Sequence, residues 1–313
     1  IVDEVRGHTD AVWCLCVSEG LHHILSAGGD GTLRLQDRRE HGKCLQHFRP
    51  HEESVWCVAV DWQGHRVLSS GSNHSILLWH MVTGKTLRTL NGHQDAVRCV
   101  QADWESDRVL SCSFDGTLRQ WCLKVGLCLR VFAGHMKWVC SLSVSWSANL
   151  AISGGFDHSI RLWNLDCETC VQALTKHSDS VWCVSLDLTG KRALSGAGDS
   201  ALILWDFATG SNSRLRGHTD AIRCLTVDWI YSERAVSGGY DRVLRLWDLQ
   251  QLVCLRVFRG HHKGIYCVSV DWQSQWGISG DDEGLLRTWD LVTGLAVDEV
   301  RGHHSSVLCI ALR

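Results

Sequence analysis

One histidine returns every 41 to 43 residues along this 313-residue chain, at His8, His51, His93, His135, His177, His218, His261 and His303. A period of that size, kept from end to end, means copies of one supersecondary unit, none of which buries its apolar face alone. Eight starts enclose seven whole units. Within each unit, four short runs rich in Val, Ile, Leu, Cys and Trp alternate with Gly, Asp, Asn and Ser; in the third they read AVRCVQADW, DRVLSCSF, GTLRQWCL and CLRVFAGH. Runs of this length and β-branched or aromatic character, bounded by turn formers, predict strands, and helical spacing is nowhere sustained. The expectation is an all-β chain of four-stranded units.

With 45% hydrophobic residues, 21% charged and a formal net charge of -3, there is apolar material for a large core and no charge excess of the kind nucleic-acid binding requires. No apolar run approaches the roughly 20 residues that span a bilayer, and the first 30 residues lack the pattern of a signal peptide. No linker or low-complexity stretch divides the chain, so one continuous domain is expected over 1–313; with Ile1 rather than Met at its start, that domain is expected to be one module of a longer protein. Sixteen cysteines need an explanation. Cys14, Cys57, Cys99, Cys183, Cys224, Cys267 and Cys309 each stand two residues after the first Val or Ile of a unit, which fits small buried apolar groups better than a metal or disulfide framework. Cys167 and Cys170 form the only CxxC; no second pair completes a four-ligand site, and Cys170 shares its register with Cys44, Cys128 and Cys254. The reading is no metal, no cofactor, and a reducing compartment, cytoplasmic or nuclear.

Gly-His, about 30 residues, then Trp-Asp, at this period, resembles the WD-repeat β-propeller family over the whole chain. Gly-His is intact in six of eight starts, with Pro50 and Lys176 as the departures; Trp-Asp is intact at Trp205 and Asp206, Trp247 and Asp248, and Trp289 and Asp290. The resemblance implies a seven-bladed β-propeller of four-stranded antiparallel blades set around a channel: seven repeats of about 42 residues, plus a partial eighth at 295–313. It also implies a buried hydrogen-bond network in each blade, joining the His, a Ser, an Asp and the Trp. Four sets are complete: His93, Ser111, Asp115 and Trp121; His135, Ser153, Asp157 and Trp163; His177, Ser195, Asp199 and Trp205; His218, Ser237, Asp241 and Trp247. Asn73 replaces the Asp in the second unit, Glu283 does so in the seventh, and Gln36 replaces the Trp in the first, which is therefore expected to be the softest blade. VDEVRGH occurs at both 2–8 and 297–303, and 307–312 resembles the inner strand 12–17. Three packings follow: residues 1–6 close the last blade, residues 295–301 do, or the final inner strand displaces the first.

Catalysis fails on inventory. Eight of the 18 histidines belong to the repeat, and the others, such as His22, His23, His41 and His158, have no recurring carboxylate, Ser or Cys at catalytic spacing. SAGGDGTL is a strand-to-strand turn rather than a phosphate cradle. The chain therefore reads as no enzyme. The resemblance places the residue after the first inner-strand Val or Ile at the channel mouth: Trp13, Trp56, Arg98, Cys140, Trp182, Arg223 and Tyr266, with Phe114, Phe156 and Tyr240 on the same face. Aromatic residues and Arg are enriched where partners bind. Two residues after the repeat His stand Asp10, Glu53, Asp95, Asp179 and Asp220, against Lys137 and Lys263. They fit a protein or peptide ligand carrying Lys or Arg, and fit local turn capping equally. Trp62, Trp104, Trp146, Trp229 and Trp272 follow the inner strands, and form either an exposed far-side patch or a lid on the core. Arg34, Arg119, Arg161, Arg245 and Arg287 read as a solvated basic flank. The function expected is a non-catalytic interaction scaffold, with no nucleic-acid, membrane or small-molecule partner. The alternatives are the substrate-recognition module of a ubiquitin ligase, or the sensor or autoinhibitory repeat domain of a nucleotide-binding switch protein.

Overall fold

Runs of alternating and continuous apolar character become strands in a fixed order. A computed structural model describes residues 7–18, 20, 22–37, 39, 43–301 and 306–311. Its 28 strands, counted among these residues, form seven sheets of four, each antiparallel and in chain order. Blade one runs from Val12–Val17 to Lys43–Phe48, blade two from Val55–Asp61 to Thr86–Leu90, and blade three from Val97–Asp103 to Leu127–Ala133. Blade four runs from Val139–Ser145 to Thr169–Leu174, and blade five from Val181–Leu186 to Ser211–Leu215. Blade six runs from Ile222–Asp228 to Val253–Arg259, and blade seven from Ile265–Asp271 to Ala296–Arg301. Blades one to three make one compact unit; blades four to seven make another.

Strand position dictates composition. The second strand lies between two others and is covered on both faces, so Arg66–Gly71 and Arg108–Ser113 are buried without a break after their first residue. The fourth strand is an edge, and Leu127–Ala133 shows the alternation of a half-solvated one. Six third-strand tryptophans, Trp79, Trp121, Trp163, Trp205, Trp247 and Trp289, are fully buried; Gln36 fills the equivalent place in blade one and is also buried. Core clusters straddle neighbouring blades: Leu68 and Ile76 of blade two pack with Val97, Val100 and Trp121 of blade three, and Leu194 and Leu202 of blade five with Ile222 and Trp247 of blade six. A single repeat leaves its apolar face open, and a neighbour covers it.

The third-strand arginines correct an expectation. They are not a solvated flank, for the Nε atoms of Arg34, Arg119, Arg161, Arg245 and Arg287 are buried. Arg119, Arg161 and Arg245 donate to the thiols of Cys128, Cys170 and Cys254 on the fourth strand at 3.9, 3.7 and 3.7 Å. Each guanidinium also passes beneath the glycine of its own Gly-His pair: a Cβ on Gly92, Gly134, Gly217 or Gly260 would lie 2.8 to 2.9 Å from the arginine Nη1. The two blades without that glycine, with Pro50 and Lys176, carry Leu77 and Ile203 in place of the arginine. Glycine and arginine therefore come and go together, because a β-carbon and a guanidinium cannot share the space.

The second copy of the duplicated strand closes blade seven: Ala296–Arg301 pairs with Leu285–Asp290, from Leu285 opposite Arg301 to Trp289 opposite Ala296. The competing copy at 1–6 lies outside the described residues. Trp62, Trp104, Trp146, Trp229 and Trp272 are half-buried. Trp62, Trp104, Trp229 and Trp272 pack against core clusters, so these rings cap the core. Arg66 sits 5.2 Å above the Trp104 ring, Arg192 sits 5.6 Å above that of Trp229, and Trp229 Nε1 donates to Ser185 at 2.9 Å. All sixteen cysteines are free thiols. In the inner-strand column, Cys224 and Cys267 are buried and the other five half-buried. The neighbouring Cys14 thiol and burial push Cys57 up to about 12, and burial pushes Cys183 to about 12, so neither is a thiolate at neutral pH.

Candidate functional site

The histidine turns of blades three to six share one hydrogen-bond pattern. In blade three, His93 Nδ1 lies 2.7 Å from Asp115, His93 Nε2 lies 2.8 Å from Ser111 Oγ, and Trp121 Nε1 donates to the same Oγ at 2.8 Å. One proton placement satisfies the chain: Trp to Ser, Ser to Nε2, and Nδ1–H to the carboxylate, with a neutral imidazole. In blade four, His135 reaches Asp157 at 3.0 Å and Ser153 at 2.7 Å, and Trp163 reaches Ser153 at 2.8 Å. In blade five, His177 reaches Asp199 at 3.0 Å and Ser195 at 2.9 Å, and Trp205 reaches Ser195 at 2.9 Å. In blade six, His218 reaches both Asp241 and Ser237 at 2.7 Å, and Trp247 reaches Ser237 at 2.8 Å. The position two after the Asp adds a hydroxyl in three blades: Thr32, Thr117 and Ser159 each donate to it at 2.7 Å.

Burial alone would raise the carboxylate pKa values. Hydrogen bonds to Asp115 from His93 and Thr117, and to Asp157 from His135, outweigh it and hold both well below the usual carboxylate range; Asp30 and Asp199 fall to about 2 for the same reason. Burial lowers the His93 and His261 pKa values against the pull of their aspartates, which keeps these rings neutral. His51 shows the effect without a carboxylate. It meets Ser69 at 2.8 Å, with the neutral Asn73 where the other blades hold a carboxylate, and burial takes its pKa down to about 4.

Blade seven departs from expectation. Asp281, not Glu283, takes the Asp role: its Oδ2 lies 2.8 Å from His261 Nδ1, while Glu283 is half-exposed and pairs with Lys263 at 3.2 Å. Asp281 occupies the column of Gly28 and Gly71, two residues before the expected one, yet reaches the same imidazole. Blade one keeps three of the four groups, with His8 3.0 Å from Asp30 and 2.9 Å from Ser26.

The partner-facing candidates have a backbone cause. The first and second strands of every blade slip register at one place, and the unpaired residue is Trp13, Trp56, Arg98, Cys140, Trp182, Arg223 or Tyr266. A β-bulge leaves one residue out of the ladder and re-aims its side chain. In the first unit Trp13 and Trp56 lie 6.1 Å apart between ring centroids, and Phe114 lies 5.3 Å from Trp56. Arg98 is half-buried and has no hydrogen-bond or ring partner among the described residues. In the second unit Trp138, Phe156 and Trp182 follow one another with ring centroids 5.3 and 4.8 Å apart, the second pair edge to face. Arg223 follows, 3.8 Å from the Trp182 ring, 5.3 Å from Tyr266 and 5.8 Å from Tyr240, and the two tyrosine hydroxyls are 3.3 Å apart. Cys140 is buried and offers nothing to a partner. Trp138, 45% exposed, escaped the sequence reading although it stands in a column otherwise held by Ala11, Ser54, Ala96, Ser180, Ala221 and Gly264. One indole among small residues was the signal.

The acidic column does cap turns. Asp10, Asp95 and Asp220 each accept from the following backbone N–H at 2.7 Å, and Asp179 does so at 2.6 Å. Each Asp keeps its second oxygen for other contacts, and Asp95 remains 47% exposed. No cluster of three metal-binding side chains occurs among the described residues.

The WD40 family model, described as "WD domain, G-beta repeat", matches residues 1–37, 42–80, 84–122, 126–164, 168–206, 210–248 and 252–290. The chain belongs to the WD40 repeat family. Its propeller fold is that of the computationally designed Ika8 protein, whose crystal structure superposes with a TM-score of 0.87 over 99% of this chain and 93% of that one, at 24% identity. Curated WD40 relatives match in short segments. One is "WD repeat-containing protein pop1" of Schizosaccharomyces pombe, 42% identical over 60 residues, which is 18% of this chain and 7% of the relative. Another is "Probable E3 ubiquitin ligase complex SCF subunit sconB" of Aspergillus clavatus, 42% identical over 55 residues, which is 18% of this chain and 8% of the relative. The matches thus span less than a tenth of either relative. WD40 propellers are generally non-catalytic and bind proteins.

Proposed function

We propose that this WD40 propeller is a non-catalytic scaffold that captures a protein segment on the face carrying the histidine turns, with a Lys or Arg of the ligand held by the Trp13, Trp56 and Phe114 cluster. The observation that carries this reading is the difference between the two aromatic groups. In the second unit the rings already hold a cation, the chain's own Arg223. In the first unit no side-chain cation lies over Trp13 or Trp56 among the described residues, and Asp10 and Glu53 stand on the same turns, with Asp95 on the next. A bulge-borne indole pair edged by carboxylates favours a cation that gives up part of its water, by charge and by contact with the ring faces. Arg98 opposes this with one charge against three. The sixteen free thiols support a reducing compartment, cytoplasmic or nuclear.

Alanine at Trp56 should weaken binding of a Lys- or Arg-bearing peptide by more than about 2 kcal/mol, roughly 30-fold, as measured by calorimetry, while the melting temperature stays within a few degrees. Affinity should also fall as salt rises. A ligand indifferent to both the substitution and the salt contradicts the reading. A second reading, recognition of substrates for a ubiquitin ligase, draws on the relative named as an SCF subunit, over 18% of this chain.

A further inference from the structure

Residues 306–311 form no paired strand, yet they are seated on blade seven by four specific contacts. Val307 N–H donates to the Asp281 carbonyl at 2.9 Å, and the Cys267 thiol donates to the Val307 carbonyl at 3.0 Å. Ser306 Oγ donates to Asp282, to its carbonyl at 3.3 Å and its carboxylate at 2.5 Å. Val307 is 7% exposed, and a Cβ on Gly280 would lie 2.6 Å from it.

The same fit recurs between consecutive blades. A Cβ on Gly154 would strike Val181 of the next blade; one on Gly196 would strike Ile222, and one on Gly238 would strike Ile265. Val307 meets Gly280 as each of these inner-strand residues meets the glycine before it. In the first unit, Ser54 of blade two donates to the Gly29 carbonyl of blade one at 3.0 Å, the counterpart of the Ser306 contact with Asp282. The thiol contact differs in register: Cys57 reaches the carbonyl of Val100, three residues after the first Val of the next inner strand, at 3.7 Å, whereas Cys267 reaches that of Val307 itself.

We infer that the flank of blade seven is a strand-accepting site, selective for the start of a WD-repeat inner strand in the form small hydroxyl residue, then Val or Ile, with 306–311 as its resident and exchangeable occupant. Selectivity comes from the glycine notch, which admits a β-branched side chain, and from Asp281, Asp282 and Cys267, which bind its backbone and the preceding hydroxyl. Residue 307 carries the fit: an aspartate there brings a charge into a buried notch already walled by the Asp281 and Asp282 backbone.

The test uses the full chain and a fluorescent peptide of residues 304–313. The chain carrying Val307→Asp, whose own segment is disabled, should bind the peptide at least tenfold tighter than the wild-type chain, whose site is filled. The same peptide carrying Val307→Asp should bind neither. Circular dichroism confirms folding, and Ser306→Ala with Val307→Ala serves as a milder second variant. In the unaltered chain, hydrogen exchange at the Val307 amide should be slowed at least tenfold relative to an unstructured peptide. Equal binding to the wild-type and Val307→Asp chains, binding to neither, or an unprotected Val307 amide would each overturn the inference.

Discussion

Trp121→Ala is expected to lower the unfolding free energy by about 3 to 5 kcal/mol, the range for removing a large buried aromatic side chain. The indole is 1% exposed, and it packs with Leu68, Ile76, Val97 and Val100 in a cluster shared by blades two and three. Truncation empties that cluster, and it removes the donor that Ser111 Oγ accepts at 2.8 Å. The hydroxyl still bonds His93 and the Arg119 carbonyl, so the cavity accounts for most of the cost. Urea unfolding should show a lower midpoint with an unchanged slope. Trp104→Ala makes the comparison informative, because that ring is only half-buried and should cost distinctly less. Equal losses at the two sites would mean that burial does not rank these tryptophans.

Asp281→Ala should cost about 2 to 3 kcal/mol, since it leaves a buried imidazole N–H without its acceptor, at about 1 to 3 kcal/mol for such a group, and also removes a turn cap. Its carboxylate is inside the protein, faces His261, and accepts the backbone N–H groups of Glu283 and Leu285 at 3.0 Å each. Removing it strands a buried imidazole N–H and loosens the turn. Glu283→Ala should cost less than about 1 kcal/mol, since its pair with Lys263 is half in water on both sides. Thermal melts of the two variants separate the assignments: a larger loss at Glu283 than at Asp281 would restore the position that repeat spacing alone selects.

What the sequence made legible was whatever obeys the period. The histidine spacing, the four runs per unit and the columns of Trp, Ser and Cys sufficed for seven four-stranded blades, because each blade must bury the same face against a neighbour. Departures were harder. Asp281 serves its histidine from two residues away, and spacing cannot reveal that a turn brings a different carboxylate to the same point. The third-strand arginines read as solvated because charge usually is; their burial depends on a glycine about 27 residues earlier in the chain, and only the shared absences in blades two and five connect the two columns. The mouth residues were picked by register, but the bulge that ejects them from the ladder is a backbone event with no residue type of its own. Trp138 stands in a column of otherwise small residues, so no repeat pattern marks it. That Arg223 already fills the second aromatic group follows from distances and from nothing in composition.

The most direct test of ligand capture on the histidine face is the set of indole N–H signals in a nitrogen-15 spectrum, followed while a Lys- or Arg-bearing peptide is added. The account predicts that the Trp13 and Trp56 signals move with a common saturation curve, while those of Trp62, Trp104 and Trp272 stay in place. Movement confined to the latter three would contradict it.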